Sequence, residues 1–229
     1  MPGWSGVTNA VAFTPGRDIE SDLELRARRE QSLQSSSFGT DGAILAAVLA
    51  LEEVEQAFVR SNRTVSTLAD GTPPGAARVV LYPDPASATV EEEIATTLFQ
   101  NIAAGIRSWG TDVVASVVDS QGTSVEVRWD YATDVDVYID VTVATSANSS
   151  VVASDVQDAI VAYVNGLRVG DDVRDLGVRV AIQAVSPTIT GASSLTIDTV
   201  DPPVATGDLT IDVDEIARTV AANIGVTIT

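Results

Sequence analysis

Val135, Val137, Ile139, Val141 and Val143 alternate without a break with Asp134, Asp136, Tyr138, Asp140 and Thr142. Period-two alternation places one set of side chains on one face of an extended strand and the other set on the opposite face. A chain carrying such a segment must build a sheet with one dry face, and another element must cover that face. The cover follows in sequence: Val156, Ala159, Ile160, Tyr163, Val164 and Leu167 keep the spacing of a single helix face. Strand followed by covering helix predicts an α+β fold. We expect two small α/β sandwich-like domains, with mixed sheets each covered by helices.

The rest of the chain fits this plan. Residues 1–17 read as an irregular lead-in containing Pro2, Gly3, Pro15 and Gly16. Ser21 and Glu24 have capping-box spacing and predict a helix from Ser21 to about Gln34. Thr40 or Asp41 opens a second helix through Ile44, Leu45, Val48, Leu49 and Leu51, apolar enough to be well buried. Strands are expected over 55–62 and 77–82, separated by a loop at Asp70-Gly71-Thr72-Pro73-Pro74-Gly75. Thr89 and Glu92 form another capping box, ahead of Val90, Ile94, Leu98, Ile102 and Ile106 on one face. A hairpin joins 112–118 to 124–129 through Asp119-Ser120-Gln121-Gly122, where glycine admits positive φ. Ser154 and Gln157 give a third capping box, and a further helix is expected over about 172–185. Short strands are expected at 195–199, 209–213 and 225–229. The boundary between halves falls near Tyr131–Asp134, giving domains at 18–133 and 134–229.

Composition excludes several function classes. The sequence has no histidine and no cysteine, so Ser-His-Asp and Cys-His catalysis, disulfides and thiolate metal sites cannot arise within it. The net charge is −19, and all 13 basic residues are arginine. Such a chain is repelled by phosphate backbones, so no nucleic-acid partner is expected. The acidity fits solubility at high concentration, a basic partner, or a host with a salty cytoplasm or a GC-rich genome that avoids lysine codons; a compositional cause is expected. No apolar run is long enough to span a membrane, and no secretory leader is evident at the start. No cofactor, catalytic residue or metal ligand set is expected.

A series of short motifs carries a family resemblance. Asn9 stands in a turn ahead of Glu20-Ser21-Asp22-Leu23-Glu24-Leu25-Arg26-Ala27-Arg28. Gly39-Thr40-Asp41-Gly42-Ala43-Ile44 follows, then Val54 to Asn62 with Ala57 and Val59, then Gly71-Thr72-Pro73-Pro74 and Val79-Val80. Gly110-Thr111 and Val135-Asp136-Val137-Tyr138-Ile139 complete the series. In order and spacing this resembles the baseplate J-like family of contractile-tailed phages and related injection systems. The likeness is strongest over residues 7–82. It implies a virion component in the tail baseplate, assembled in the host cytoplasm. It also implies wedges ringing the tail hub that associate with copies of themselves and with other wedge or hub proteins. Such wedges relay the rearrangement that triggers sheath contraction. The family residues carried over are Asn9, Glu20, Ser21, Asp22, Leu25, Arg26, Arg28, Gly39, Thr40, Ala43, Ile44, Pro73 and Pro74. Two departures stand out. Family members usually have a further region before this point, and the family's Gly-Gly turn is replaced by Tyr82-Pro83-Asp84-Pro85.

Other residues have a functional and a plainer reading. Asp134, Asp136 and Asp140 on one strand face suit a divalent cation, but a solvated face is expected instead. A solvent-facing turn is expected for Asp208, Asp212, Asp214 and Glu215. Arg26, Arg28 and Arg29 are expected to pair along their own helix, Asp22–Arg26 among the i, i+4 pairs. Trp129 is placed in the core, and Trp4 is the candidate interface residue. The competing functions are a paired-carboxylate hydrolase and a tail-associated carbohydrate-binding or adhesin-like module. The first lacks a privileged pair, and the second sits poorly with 5% aromatic residues.

Overall fold

The computed structural model describes residues 39–146 and 150–229, together with Asp22, Leu25, Arg26 and Arg29. The fold is α+β. Helix α1 (Asp41–Val48) leads to β1 (Gln56–Ser61), β2 (Ala76–Tyr82), α2 (Ala88–Asn101), β3 (Arg107–Trp109), β4 (Val113–Val118) and β5 (Ser124–Tyr131). Then come β6 (Thr133–Asp136), β7 (Tyr138–Thr145), α3 (Ala153–Asn165), α4 (Asp175–Val185), β8 (Ile189–Asp198), β9 (Glu215–Arg218) and β10 (Ile224–Ile228).

The first sheet runs β1-β2-β5-β4, with β3 also paired to β2. Pairing is antiparallel for β1–β2 and β4–β5 and parallel for β2–β5. Ile94 and Leu98 of α2 and Ile44 and Val48 of α1 bury one face of it, against Val79, Leu81, Val127 and Trp129. The second sheet runs β10-β7-β8, with β10 parallel and β8 antiparallel to the central strand. Val156, Ile160 and Val164 of α3 and Val178 and Ile182 of α4 cover it. β6 pairs with β9 as a separate ribbon.

β2 reads Ala-Ala-Arg-Val-Val-Leu-Tyr and is buried along nearly its whole length. A half-exposed strand would alternate; a run like this needs cover on both faces. Val79 and Leu81 meet the helices, whereas Val80 packs with Val169 and Ile216 of the C-terminal half. One strand thus contributes to the cores on both of its sides.

Several sequence expectations are corrected. The 135–143 alternation is not one strand. It breaks at Val137 into β6 and β7, which pair in different sheets, because the Val137 amide donates instead to the Arg218 carbonyl (2.8 Å). The Thr89/Glu92 box does not form: α2 starts at Ala88 behind Ser87, without a side-chain cap. Ile102 is the C-cap of α2 and Ile106 lies beyond it. The Ser154/Gln157 box does not form either. α3 starts at Ala153 with Val152 as N-cap, so Ser154 already lies inside the helix and cannot cap it, and the Gln157 amide donates instead to the Ile224 carbonyl at 2.7 Å. The second helix stops at Val48, short of Leu51. Residues 209–213 make only an isolated bridge from Leu209 to Val173, and the strand nearby is β9. The hairpin forms as expected, with Gly122 at φ +81°.

Candidate functional site

Of the described motif residues, Gly39, Thr40, Ala43 and Ile44 lie at the start of α1, and Pro73 and Pro74 lie in the loop between β1 and β2. Gly39 takes φ +71° and donates its amide to the Asn101 carbonyl at 3.1 Å. An added Cβ there would stand 2.7 Å from Cβ of Ala103, so glycine is required for both conformation and space. Thr40 caps α1, its hydroxyl accepting from the Ala43 amide at 3.1 Å. Ala43 and Ile44 are buried. Asp41 accepts from the Ser61 amide at 3.3 Å and from the Ser61 hydroxyl, tying α1 to the end of β1.

Asn62, which closes the Val54–Asn62 motif, is buried and organises the loop that follows. Its amide donates to the Ser66 and Thr72 carbonyls, both at 2.8 Å. Its carbonyl oxygen accepts from the Thr64 amide at 2.9 Å and from the Thr64 hydroxyl at 2.7 Å. Pro73 and Pro74 lie in this loop, the second of them exposed. Upstream, Asp22, Leu25 and Arg26 are helical, with Asp22 and Arg26 paired at 2.7 Å. Asn9, Glu20, Ser21, Arg28 and the candidate interface residue Trp4 lie outside the described residues.

Charge is concentrated where the two halves meet; Arg78 and Asp130 were not singled out from the sequence, whereas Asp214, expected in a solvent-facing turn, is 46% exposed and pairs with Arg78. Arg78 of β2 is buried beside Val80. Its Nη2 lies 3.1 Å from Asp130 Oδ2 of β5 and 2.9 Å from Asp214 Oδ2, in the turn before β9. Its Nη1 donates to the Asp70 carbonyl at 2.5 Å. Asp130 also accepts from the Thr111 amide, the Thr111 hydroxyl (3.2 Å) and the Asp112 amide (3.1 Å). Those bonds explain the Gly110-Thr111 turn. A Cβ on Gly110 would sit 2.2 Å from the Trp129 carbonyl carbon, so nothing larger than glycine lets this backbone approach.

Arg60 pairs with Asp70 beside this network. Burial would raise the Asp70 pKa. Hydrogen bonds from the Thr72 amide (3.1 Å) and the Arg60 guanidinium outweigh it and hold the carboxyl below its usual range. Gln56 donates to the Leu167 carbonyl (3.4 Å) and accepts from the Val169 amide (3.2 Å). Arg218 lies 4.8 Å from the ring centroid of Tyr82. The only sequence signal for Arg78 is an arginine in an otherwise apolar strand, where a charge needs a buried partner.

The remaining candidates are dispersed. Asp134 approaches Arg218 at 3.9 Å from β6, while Asp140 stands on β7 in the other sheet. Asp208 accepts from the Asp175 amide at the start of α4 (2.8 Å), and Glu215 accepts from the Asp212 amide (3.1 Å). Trp129 is fully buried, edge-to-face with Tyr131 at 6.4 Å. Burial beneath α2 pushes the Tyr131 hydroxyl up to about 12. Among the described residues, no helix is long and apolar enough to cross a membrane.

Among the outer strands of the described sheets, β4 has an edge with no built-in block. β4 is the last strand of the first sheet and carries neither a charge nor a proline. Val114 and Val118 are 48% and 66% exposed. Beside this edge runs a groove lined by Glu92, Ala95 and Thr96 of α2 and by residues 115–118.

No family model matches the sequence, so the family named above stands as a resemblance. No curated protein matches it either. Among solved structures, the chain is similar to a chain of the anti-feeding prophage baseplate, determined by cryo-electron microscopy with 6-fold symmetrisation. The TM-score is 0.44 and the identity 13%, over 87% of this chain and 42% of that one. The chain thus spans less than half the length of that neighbour.

Proposed function

We propose that this protein is a structural component of a contractile-tail baseplate, not an enzyme. In this reading it is a wedge subunit that packs with its own copies and with other wedge or hub proteins around the tail hub. It relays the rearrangement that precedes sheath contraction. The observation that carries this reading is the ordered motif series from Asn9 to Ile139. Its described members do structural work. Thr40 caps a helix, Gly39 and Gly110 permit close backbone approach, and Asn62 holds a loop.

Two further features support it. The deepest charges, Arg78 and Asp130, are engaged with each other and with backbone groups. A sequence without histidine or cysteine lacks the usual nucleophile and base pairs. The test is purification of particles from the source, followed by mass spectrometry and cryo-electron microscopy. The expected result is this chain at fixed stoichiometry, in a ring around the hub at the base of a tail. Intact tails that lack the chain altogether would refute the proposal.

A further inference from the structure

We propose that the edge of β4, unpaired among the described residues, binds an extended, basic segment of a partner protein as an added β-strand. The inference rests on the assembly reading and names the surface through which one contact is made. Three observations carry it.

The first is the hydrogen-bonding pattern of the rim. In an antiparallel pair, successive residues turn their amides and carbonyls alternately toward and away from the partner strand. Val114 lies opposite Arg128, and the Arg128 amide points away from β4, donating to the Ser108 hydroxyl at 2.7 Å. The pair Val114–Arg128 is therefore a non-hydrogen-bonded one. By the same alternation Val114, Ser116 and Val118 direct their backbone groups off the edge of the sheet. An open rim of this kind is a template for strand addition unless a charge, a proline or a bulge blunts it. β4 reads Val-Val-Ala-Ser-Val-Val and has none of these within it.

The second is the space beside the rim. The groove between α2 and β4 runs along the inner side of the edge. A strand laid against β4 would place alternate side chains there, continuing the surface that Ala115 and Val117 begin.

The third is charge, which selects the occupant. Glu92 lines the groove, Asp112 and Asp119 flank the strand, and Glu126 stands opposite Ser116. Among the described residues no arginine pairs with Glu92, Asp112 or Asp119. Arg128 is already paired with Glu126 at 3.1 Å. A second copy would bring the same carboxylates to the rim, on a chain whose own net charge is −19. A segment rich in lysine or arginine meets complementary potential instead.

The experiment uses the full chain and a short synthetic peptide of alternating valine and threonine with lysines at both ends. The control peptide carries glutamates in place of the lysines. The expected result is saturable binding of the lysine peptide, weakened by salt, with slowed amide exchange at Val114, Ser116 and Val118. Ser116→Pro removes a rim amide without breaking the β4–β5 ladder and should weaken binding about tenfold or more, equivalent to about 1.4 kcal/mol. If that variant loses its native circular dichroism, Val118→Lys supplies the same test through like charge on the rim. Glu92→Lys should narrow the preference for the lysine peptide.

Equal binding of both peptides, unchanged binding by the rim variants, or protection elsewhere in the chain would overturn the proposal. So would a dimer in light scattering that Ser116→Pro abolishes, since a second copy would then be the occupant. Rim variants that still join tail particles would sink the edge and leave the baseplate reading standing. Peptide binding by a chain absent from particles would do the reverse.

Discussion

Arg78 and Asp130 sit on adjacent parallel strands, on the face turned toward the C-terminal half, with Nη2 3.1 Å from Oδ2. Their side chains are 8% and 3% exposed. The contact is an ion pair by distance, without hydrogen-bond alignment at that carboxylate oxygen. Removing one partner leaves the other buried and uncompensated. Asp130→Ala should therefore cost about 3–5 kcal/mol in urea unfolding. The double variant Arg78→Met/Asp130→Leu should recover much of that loss. A double variant no more stable than Asp130→Ala would show that the backbone bonds of Asp130, and not its charge, set the cost.

Gly110→Ala is expected to destabilise through overpacking. Its new methyl would meet Trp129 backbone atoms, which belong to β5 and cannot rotate away. The loss should reach about 3 kcal/mol, the upper part of the range for forced packing. Gly71→Ala, where no atom lies within 4 Å but φ is +81°, should cost less, by backbone strain alone. Thermal melts of the two variants give the comparison.

Asp70 makes stability dependent on acid. Its folded pKa is lowered, so its contribution is fully present above the ordinary value of 3.8 and is lost as pH falls through the folded value. Asp70→Asn should therefore be less stable than the parent at neutral pH, and the gap should close as pH drops below that ordinary value. Denaturant midpoints along an acid series test this. A gap constant with pH would mean that packing, not charge, is what the carboxylate supplies.

Thr40→Ala removes the side-chain acceptor for the Ala43 amide at the start of α1. The expected cost is about 1 kcal/mol, with Thr40→Ser close to the parent. Amide exchange at Ala43 reports the same loss locally.

Much of the fold was legible because its elements are periodic. The α3 positions Val156, Ile160 and Val164 are buried as the helical spacing requires. The Asp119–Gly122 turn joins β4 and β5 as its glycine indicates. Capping boxes were less legible, because α2 and α3 start at Ala88 and Ala153, one residue before the expected caps Thr89 and Ser154, which places both hydroxyls inside their helices. The break at Val137 was hidden for another reason: alternation specifies faces, not neighbours, and β6 and β7 keep the alternation while joining different sheets. The Arg78–Asp130–Asp214 bridge was illegible because it joins residues as much as 136 apart: an arginine in an apolar strand calls for a partner and Asp214 stands in an acidic cluster, but neither pattern says which residues meet. Most of the motif ahead of Gly39, and Trp4, fall outside the described residues and bear on neither count.

β2 presents Val80 to one core and Val79 and Leu81 to the other. A stiff pleated backbone therefore acts as a shared wall. Pushing Ile216 or Val169 inward loads the strand, and the same strand presses on Ile94 and Leu98 beneath it. Hinging between the halves would have to peel Val80 from its cover and strip Arg78 from Asp214 together. Force delivered to one side should thus emerge at the other as displacement of a rigid lever, with little absorbed by bending in between.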